Sequence, residues 1–328
     1  VLLGVSGATL FVEITNPTSP RHLGRLATHT IPSAWRDVKV YQHYAFVVSE
    51  AFGHGMQVFD LSVLLDHEGP PATFDSVAHY DGQGLGSAHN IAINEDTGFA
   101  YIVGSNTCSG GLHIVDVRAS REPAFAGCFS QDGYTHDVQC VLYEGPDGAF
   151  REREICYAAN EDTLTIVDVT DKRAPRLVSR TSYPGVGYTH QVWTTEDQHF
   201  LLLNDELDEV TFGHPTRTRI WDITDLERPV VIGSVDADRP SIDHNLYVHR
   251  GLVFQANYRS GLLVYDLADV ADGRLRRVGV FDVYRADDAA EFNGAWSVYP
   301  FFPSGTVAVS GIEQGLFLLD VAFEGHSH

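Results

Sequence analysis

Thr165-Ile166-Val167-Asp168-Val169 is one of seven copies of a single pattern, an apolar run broken by one acid. The others are Leu10-Phe11-Val12-Glu13-Ile14, Gln57-Val58-Phe59-Asp60-Leu61, His113-Ile114-Val115-Asp116-Val117, Arg219-Ile220-Trp221-Asp222-Ile223, Leu263-Val264-Tyr265-Asp266-Leu267 and Phe317-Leu318-Leu319-Asp320-Val321. The residues flanking the acid are β-branched or aromatic, which suits a strand. The acid is placed to accept hydrogen bonds from the following turn, as Asp does in Asx-turns. Pro20, Pro123, Pro175 and Pro229 follow four copies, where a proline ends one strand's pairing and sets up the next turn.

Working outward, a second apolar strand precedes the motif (residues 44–49, 100–104, 155–159, 200–203 and 253–256). A third precedes that, as in Val38-Lys39-Val40, Ile91-Ala92-Ile93 and Leu246-Tyr247-Val248, and a fourth follows the motif, as in Leu177-Val178-Ser179-Arg180. Four short antiparallel strands in a unit of about 40–50 residues is the signature of a propeller blade. Long amphipathic helical patterns are absent. The expected fold is therefore all-β, a seven-bladed β-propeller of four-stranded antiparallel blades, forming a single domain over residues 1–328. A pair of β-sandwiches would not produce equal copies. The first blade is expected to lack its innermost strand and the last its outermost.

Charge restricts function. With 22 Lys+Arg against 44 Asp+Glu, the net charge is −22. That argues against a nucleic-acid partner, whose phosphates require a basic face, and against adsorption to anionic lipid. No apolar run approaches the roughly 20 residues of a transmembrane helix. The opening Val1-Leu2-Leu3-Gly4-Val5 has no basic region, so it does not read as an intact signal peptide, and the chain is expected to open inside a structural unit. The four cysteines, Cys108, Cys128, Cys140 and Cys156, form no CxxC pair, which disfavours a zinc knuckle. An even number suits two disulfides and an oxidising compartment. Cys140 and Cys156 fall on consecutive strands of one hairpin, which favours that pairing and leaves Cys108 with Cys128. Four buried thiols are the alternative.

Several stretches resemble the LVIVD-repeat proteins, and within them the choice-of-anchor B group. They are Ser87-Ala88-His89-Asn90-Ile91-Ala92-Ile93-Asn94, Gly133-Tyr134-Thr135-His136-Asp137, the run from Asn160 to Asp171, Gly187-Tyr188-Thr189-His190, Asp205-Glu206-Leu207-Asp208-Glu209, Ile242-Asp243-His244-Asn245-Leu246-Tyr247 and Gly311-Ile312-Glu313-Gln314-Gly315-Leu316-Phe317. The resemblance implies a secreted, cell-surface or periplasmic protein of bacterial type and supplies no reaction. The tail 322–328 is too short and polar to serve as an anchor, and its His326-Ser327-His328 is assigned no function.

Aligning the blades two positions before the first core residue of the innermost strand gives His89, His136, His190 and His244 in four successive units, flanked by Arg36 and Trp296. Only 16 of 328 residues are histidine, so four at one register position need a reason. The loops after each second strand emerge on the same face. They carry Glu50, Asn106, Asn160, Glu161, Asp205, Glu206, Asn257, Tyr258, Arg259 and Glu313. Imidazoles surrounded by carboxylates have the composition of a metal centre in which the carboxylates orient the ligating rings. Such ligands suit iron, copper or zinc and not calcium or magnesium. The arrangement is similar, in geometry alone, to that of carotenoid-cleaving oxygenases, propellers with four axial histidines on iron.

Two functions stay open. One is a metal-dependent extracellular enzyme, an oxidoreductase in which Glu161, Glu206 or Glu313 supports the histidines and Tyr258 and Arg259 position an anionic substrate. The other is a non-catalytic surface module that binds a small molecule, protein or glycan, with histidines that tie neighbouring blades together. The acidic loop Asp205, Glu206, Asp208, Glu209 lacks the spacing of an EF-hand calcium loop and reads as solvated. No nucleophile elbow or phosphate loop is present.

Overall fold

A computed structural model of the chain describes residues 1–321; His326-Ser327-His328 and the rest of the polar tail lie outside them. The described residues form a seven-bladed β-propeller fold, and the only α-helix among them is a single short turn, α1 (Asp208–Phe212). They divide into two compact units: residues 1–183 with 224–229, and residues 184–223 with 230 onward.

The first unit holds four sheets. In the third, β9 (Asn90–Asn94), β10 (Phe99–Val103), β11 (Leu112–Asp116) and β12 (Ala124–Phe129) run antiparallel from the innermost strand outward. The fourth repeats this with β13 (Asp137–Leu142), β14 (Glu154–Asn160), β15 (Thr163–Asp168) and β16 (Arg176–Thr181). The first two sheets exchange a strand. β7 (Ala72–Phe74) lies between the third and fourth strands of the second blade in sequence, yet pairs parallel with β3 (Arg21–Ala27) of the first. The first blade, with order β1 (Leu2–Val5), β2 (Ala8–Glu13), β3, β7, therefore has no strand inside β1, and its fourth strand is borrowed and parallel, unlike the expected all-antiparallel blade.

The second unit holds three sheets: β17 (Thr189–Thr194) to β20 (Val230–Asp236), β21 (Asn245–His249) to β24 (Arg276–Phe281), and a three-stranded sheet of β25 (Ala295–Tyr299), β26 (Thr306–Gly311) and β27 (Gly315–Asp320).

The motif acids perform the turn chemistry expected of them. Asp60, Asp116, Asp168 and Asp266 each accept the backbone N–H two residues on, at 2.9–3.0 Å. The four prolines immediately precede the strands that follow the motif. Those strands carry one extra residue opposite the motif, a bulge repeated at Phe11/Val12, Ile114/Val115, Ile166/Val167, Ile220/Trp221 and Val264/Tyr265. A bulge strengthens twist, and here it recurs in five blades. At one of them Gly127 lies against the Lys172 carbonyl of the next blade, where a Cβ would stand 1.5 Å from that oxygen, so only glycine allows the approach.

The core lies between neighbouring sheets. Phe46, Val48 and Met56 of the second blade pack with Ile91, Ala100 and Ile102 of the third. Leu246, Val248 and Val253 pack with Leu202 and Ile220 in the second unit. Both disulfides form, Cys108–Cys128 and Cys140–Cys156, the latter between directly opposed residues of β13 and β14.

Candidate metal centre

The register histidines are aimed by the backbone. In β17 the pairing with β18 (Phe200–Asp205) skips from Thr189 to Gln191, so His190 is the bulged residue. Trp296 occupies the same kind of bulge in β25. Bulges re-aim a side chain out of the sheet's alternation. His89, His136 and His244 instead begin their strands by donating their own N–H to Val103, Ala159 and Ala256.

In the second unit, His190 Nδ1 meets the carbonyl of His244 at 3.0 Å, and His244 Nδ1 meets the carbonyl of Trp296 at 2.5 Å. A carbonyl only accepts, so each Nδ1 carries the proton and each Nε2 presents its lone pair in the neutral ring. Those two Nε2 atoms face one carboxylate. His190 Nε2 lies 3.7 Å from Glu206 Oε2, and His244 Nε2 lies 3.8 Å from Glu206 Oε1. One ligating atom from each of the three residues falls within 4.8 Å of the others. Both histidines are buried, and the Glu206 side chain is 16% exposed. Tyr258 donates its hydroxyl to Glu206 Oε1 at 2.6 Å. Burial, followed by the charge of Glu206, pushes the Tyr258 phenol far above its usual range, so it stays a donor.

This donor set fits a transition metal. Ligands about 2.1 Å from one ion stand about 3.0–3.4 Å apart, and the two histidine–Glu206 spacings exceed that by a few tenths of an ångström. The Nδ1–carbonyl bonds are the outer contacts that fix ligating imidazoles. Those same bonds also tie β17 to β21 and β21 to β25.

The first unit pairs the other two histidines. The rings of His89 and His136 lie 4.3 Å apart, and His89 Nδ1 meets Glu50 Oε1 at 2.6 Å. Glu50 and Glu206 both directly follow the second strand of their blades, so the same loop position supplies a carboxylate in each unit.

The remaining sequence candidates have other partners. Arg36 is turned to the first blade, donating to Val5 O, Thr28 Oγ1 and His54 Nε2. Asp205 is buried and accepts the N–H groups of Gly187 and Tyr188. Glu161 is exposed at a left-handed turn position, with φ 53°. Glu313 is exposed and accepts Gly294 N–H at 3.2 Å. Arg259 donates to Asn293, Asp287 and Glu291, so its guanidinium holds an acidic loop rather than standing open to an anion. Trp296 packs its ring 4.4 Å from that of His244. The acidic loop expected to be solvated is not: Asp205, Asp208 and Glu209 are all buried, because α1 folds the loop back on its own blade.

A second histidine group escaped the sequence. His54 is fully buried, its Nδ1 donating to Gly55 O at 3.0 Å and its Nε2 accepting from Arg36, while His29 and His79 stack at 3.9 Å beside it. Burial pushes the His54 imidazole down to about 4. An arginine on Nε2 leaves this group a structural one.

No helix among the described residues is long and apolar enough to cross a membrane. No protein of curated function matches the chain in sequence. In structure it is similar to the β-propeller domain of Myceliophteria thermophila Cps50 (Swd1), with TM-score 0.59, 11% identity and coverage of 97% of this chain and 92% of that one. It is similar also to a functionally unknown protein from Desulfotomaculum acetoxidans DSM 771, with TM-score 0.60, 12% identity and coverage of 96% and 92%. At such identities the likeness carries the fold alone. In sequence, the LVIVD repeat family matches residues 85–129 and 155–182.

Proposed function

We propose that the chain is a metal-dependent enzyme of an oxidising, extracytoplasmic compartment, with a transition metal held by His190, His244 and Glu206. The observation carrying this reading is the convergence of two imidazole Nε2 atoms on one carboxylate while both Nδ1 atoms are held by carbonyls. Two histidines and one carboxylate are the donor set of non-haem iron oxygenases and of one class of zinc hydrolases. Such a centre leaves coordination positions open, and a bound iron or copper would supply oxidative chemistry there, zinc the activation of water. The chain's own part is to fix the ligating tautomer, to keep Tyr258 donating to Glu206, and to present the Trp296 ring beside His244 as an apolar wall for substrate. Two disulfides support the compartment, and the LVIVD match supports, without reaching, the finer placement among surface-attached choice-of-anchor B proteins.

Elemental analysis of the purified chain tests the reading. Close to one iron, copper or zinc per chain is expected. Protein purified without chelators that contains none, and takes up none, would remove it. The second reading, a non-catalytic binding module, is favoured by the inter-strand ties of His190 and His244 and would then stand.

A further inference from the structure

The structure assigns Asn204, Gln255 and Thr218 as a relay of positioning residues that holds the His244 carbonyl, and through it the His190 ring, in the ligating orientation. The relay's bearing on metal rests on the function proposed above.

The centre draws its ligands from two neighbouring sheets. His190 and Glu206 belong to the sheet of β17 to β20, and His244 leads into the sheet of β21 to β24. Two imidazoles and a carboxylate share an ion only if the gap between their sheets is fixed to about half an ångström. Asn204 is placed to fix it. It lies on β18, two residues before Glu206, is fully buried, and donates Nδ2–H to the His244 carbonyl at 3.3 Å. The same oxygen receives His190 Nδ1–H at 3.0 Å. A carbonyl has two lone pairs, so it can hold both donors. The strand that ends beside Glu206 and the ring of His190 thus meet on one atom of His244.

That oxygen dictates the polarity of the rest. A carbonyl only accepts, so Asn204 must turn its nitrogen to it and its Oδ1 away. Gln255, on β22 (Leu252–Asn257) of the other sheet, reaches back and donates Nε2–H to that Oδ1 at 2.9 Å. The same Nε2 donates to Thr218 Oγ1 at 2.8 Å, on β19 (Arg217–Asp222). Asn204 and Gln255 are 0% exposed and Thr218 is 2% exposed. Turning the Gln255 amide over would set oxygen against oxygen at both contacts, a conflict that low dielectric makes costly.

The same pair of sheets is joined elsewhere by Leu202, Ile220, Leu246, Val248 and Val253. Apolar side chains would hold the sheets together here as well, without the cost of burying three polar ones. What the polar chain adds is direction: it aims a carbonyl. Without the Gln255 donors, nothing keeps the Asn204 nitrogen on the His244 carbonyl, and His190 loses a fixed acceptor for Nδ1–H. His244 donates its own Nδ1–H to Trp296 O, outside the relay.

The test uses the full chain with Gln255→Met, which keeps the side-chain length and removes both donors. Asn204→Ala is the second variant should the first fail to fold. Long-range proton–nitrogen NMR of the histidine rings, in metal-free protein at about pH 8 where the rings are neutral, reports which nitrogen carries the proton. Competition with a chromophoric chelator gives the zinc dissociation constant. In the parent, His190 and His244 should both carry the proton on Nδ1. In the variants, His190 should show a mixture of tautomers, His244 should stay on Nδ1, and zinc should bind about tenfold more weakly. Glu154→Ala, a destabilising change in the other unit, should move neither readout, which separates positioning from lost stability. The relay is overturned if His190 stays wholly on Nδ1 in a folded variant, or if zinc binds the variants within about twofold of the parent. A parent that takes up no zinc, iron or copper would remove the metal centre instead, and the His190 tautomer alone would then decide the relay.

Discussion

His190 donates an Nδ1–H hydrogen bond to the backbone carbonyl of His244, the residue at the same register position one blade on, and His244 does the same to Trp296. One side chain thereby does two things: it ties strands and it fixes which ring nitrogen carries a lone pair. The two roles separate under substitution. His190→Ala, His244→Ala and Glu206→Gln should each lower bound metal at least tenfold, since a three-ligand site rarely survives loss of one ligand. His89→Ala, outside the triad, should retain it. Metal content measured against protein concentration decides, and unchanged occupancy in the three triad variants would leave only the tie.

Blade number was readable because every blade repeats one physical problem. The strand that carries the motif packs between its neighbours and is apolar, and in four blades it ends in a turn that Asp60, Asp116, Asp168 or Asp266 braces. The register histidines were readable for the same reason. What they touch was not. Arg36 holds the equivalent position, yet Val5, Thr28 and His54 of the first two blades draw it aside. The strand Ala72–Phe74 follows Pro70-Pro71 and is too short to show a period, so its parallel exchange into the first blade left no mark. His54 carried no sequence signal, because the partners that surround it, Arg36, His29 and His79, come from other parts of the chain.

Glu154 shows what a satisfied buried carboxylate looks like in this protein. It accepts from Lys172 at 2.7 Å, Tyr101 at 2.5 Å, Asn94 at 2.9 Å and Thr97 at 2.8 Å, joining the third and fourth blades. Glu154→Ala strands the Lys172 ammonium, only 11% exposed, and three polar partners. The expected loss is about 3–5 kcal/mol, read as a lower denaturant midpoint. A loss below about 1 kcal/mol would show that the network is replaced by water.

Cys140 and Cys156 join strands that already pair, and they lie 16 positions apart in sequence. Closing a loop of this size removes unfolded-state entropy worth about 3 kcal/mol. The double variant Cys140→Ala, Cys156→Ala should lose about that much and become insensitive to reductant at this bridge. Peptide mapping under non-reducing conditions checks the pairing directly, and finding both thiols free would refute it.

The acid limit of stability should follow His113. Its ring is fully buried, with Nε2 against the Tyr80 hydroxyl and Nδ1 against the Thr107 hydroxyl, both at 2.9 Å. Burial pushes it down to about 4, whereas a histidine in the unfolded chain titrates near 6.5. Between those values the unfolded chain binds the extra proton. The His113 contribution is therefore complete above about pH 6.5, declines as pH falls, and is gone below about pH 4, a change on the order of 3 kcal/mol. His54, also pushed down to about 4, acts in the same direction. Asp137 opposes both: burial pushes its carboxyl up to about 6, so the folded chain is the better proton binder between about pH 4 and 6. The total pH profile mixes these opposing terms, so the difference between parent and His113→Gln is the clean quantity. The parent's stability relative to the variant should shrink by about 3 kcal/mol from pH 7 to pH 4. A gap that stays constant across that range would mean His113 is not held neutral by the fold.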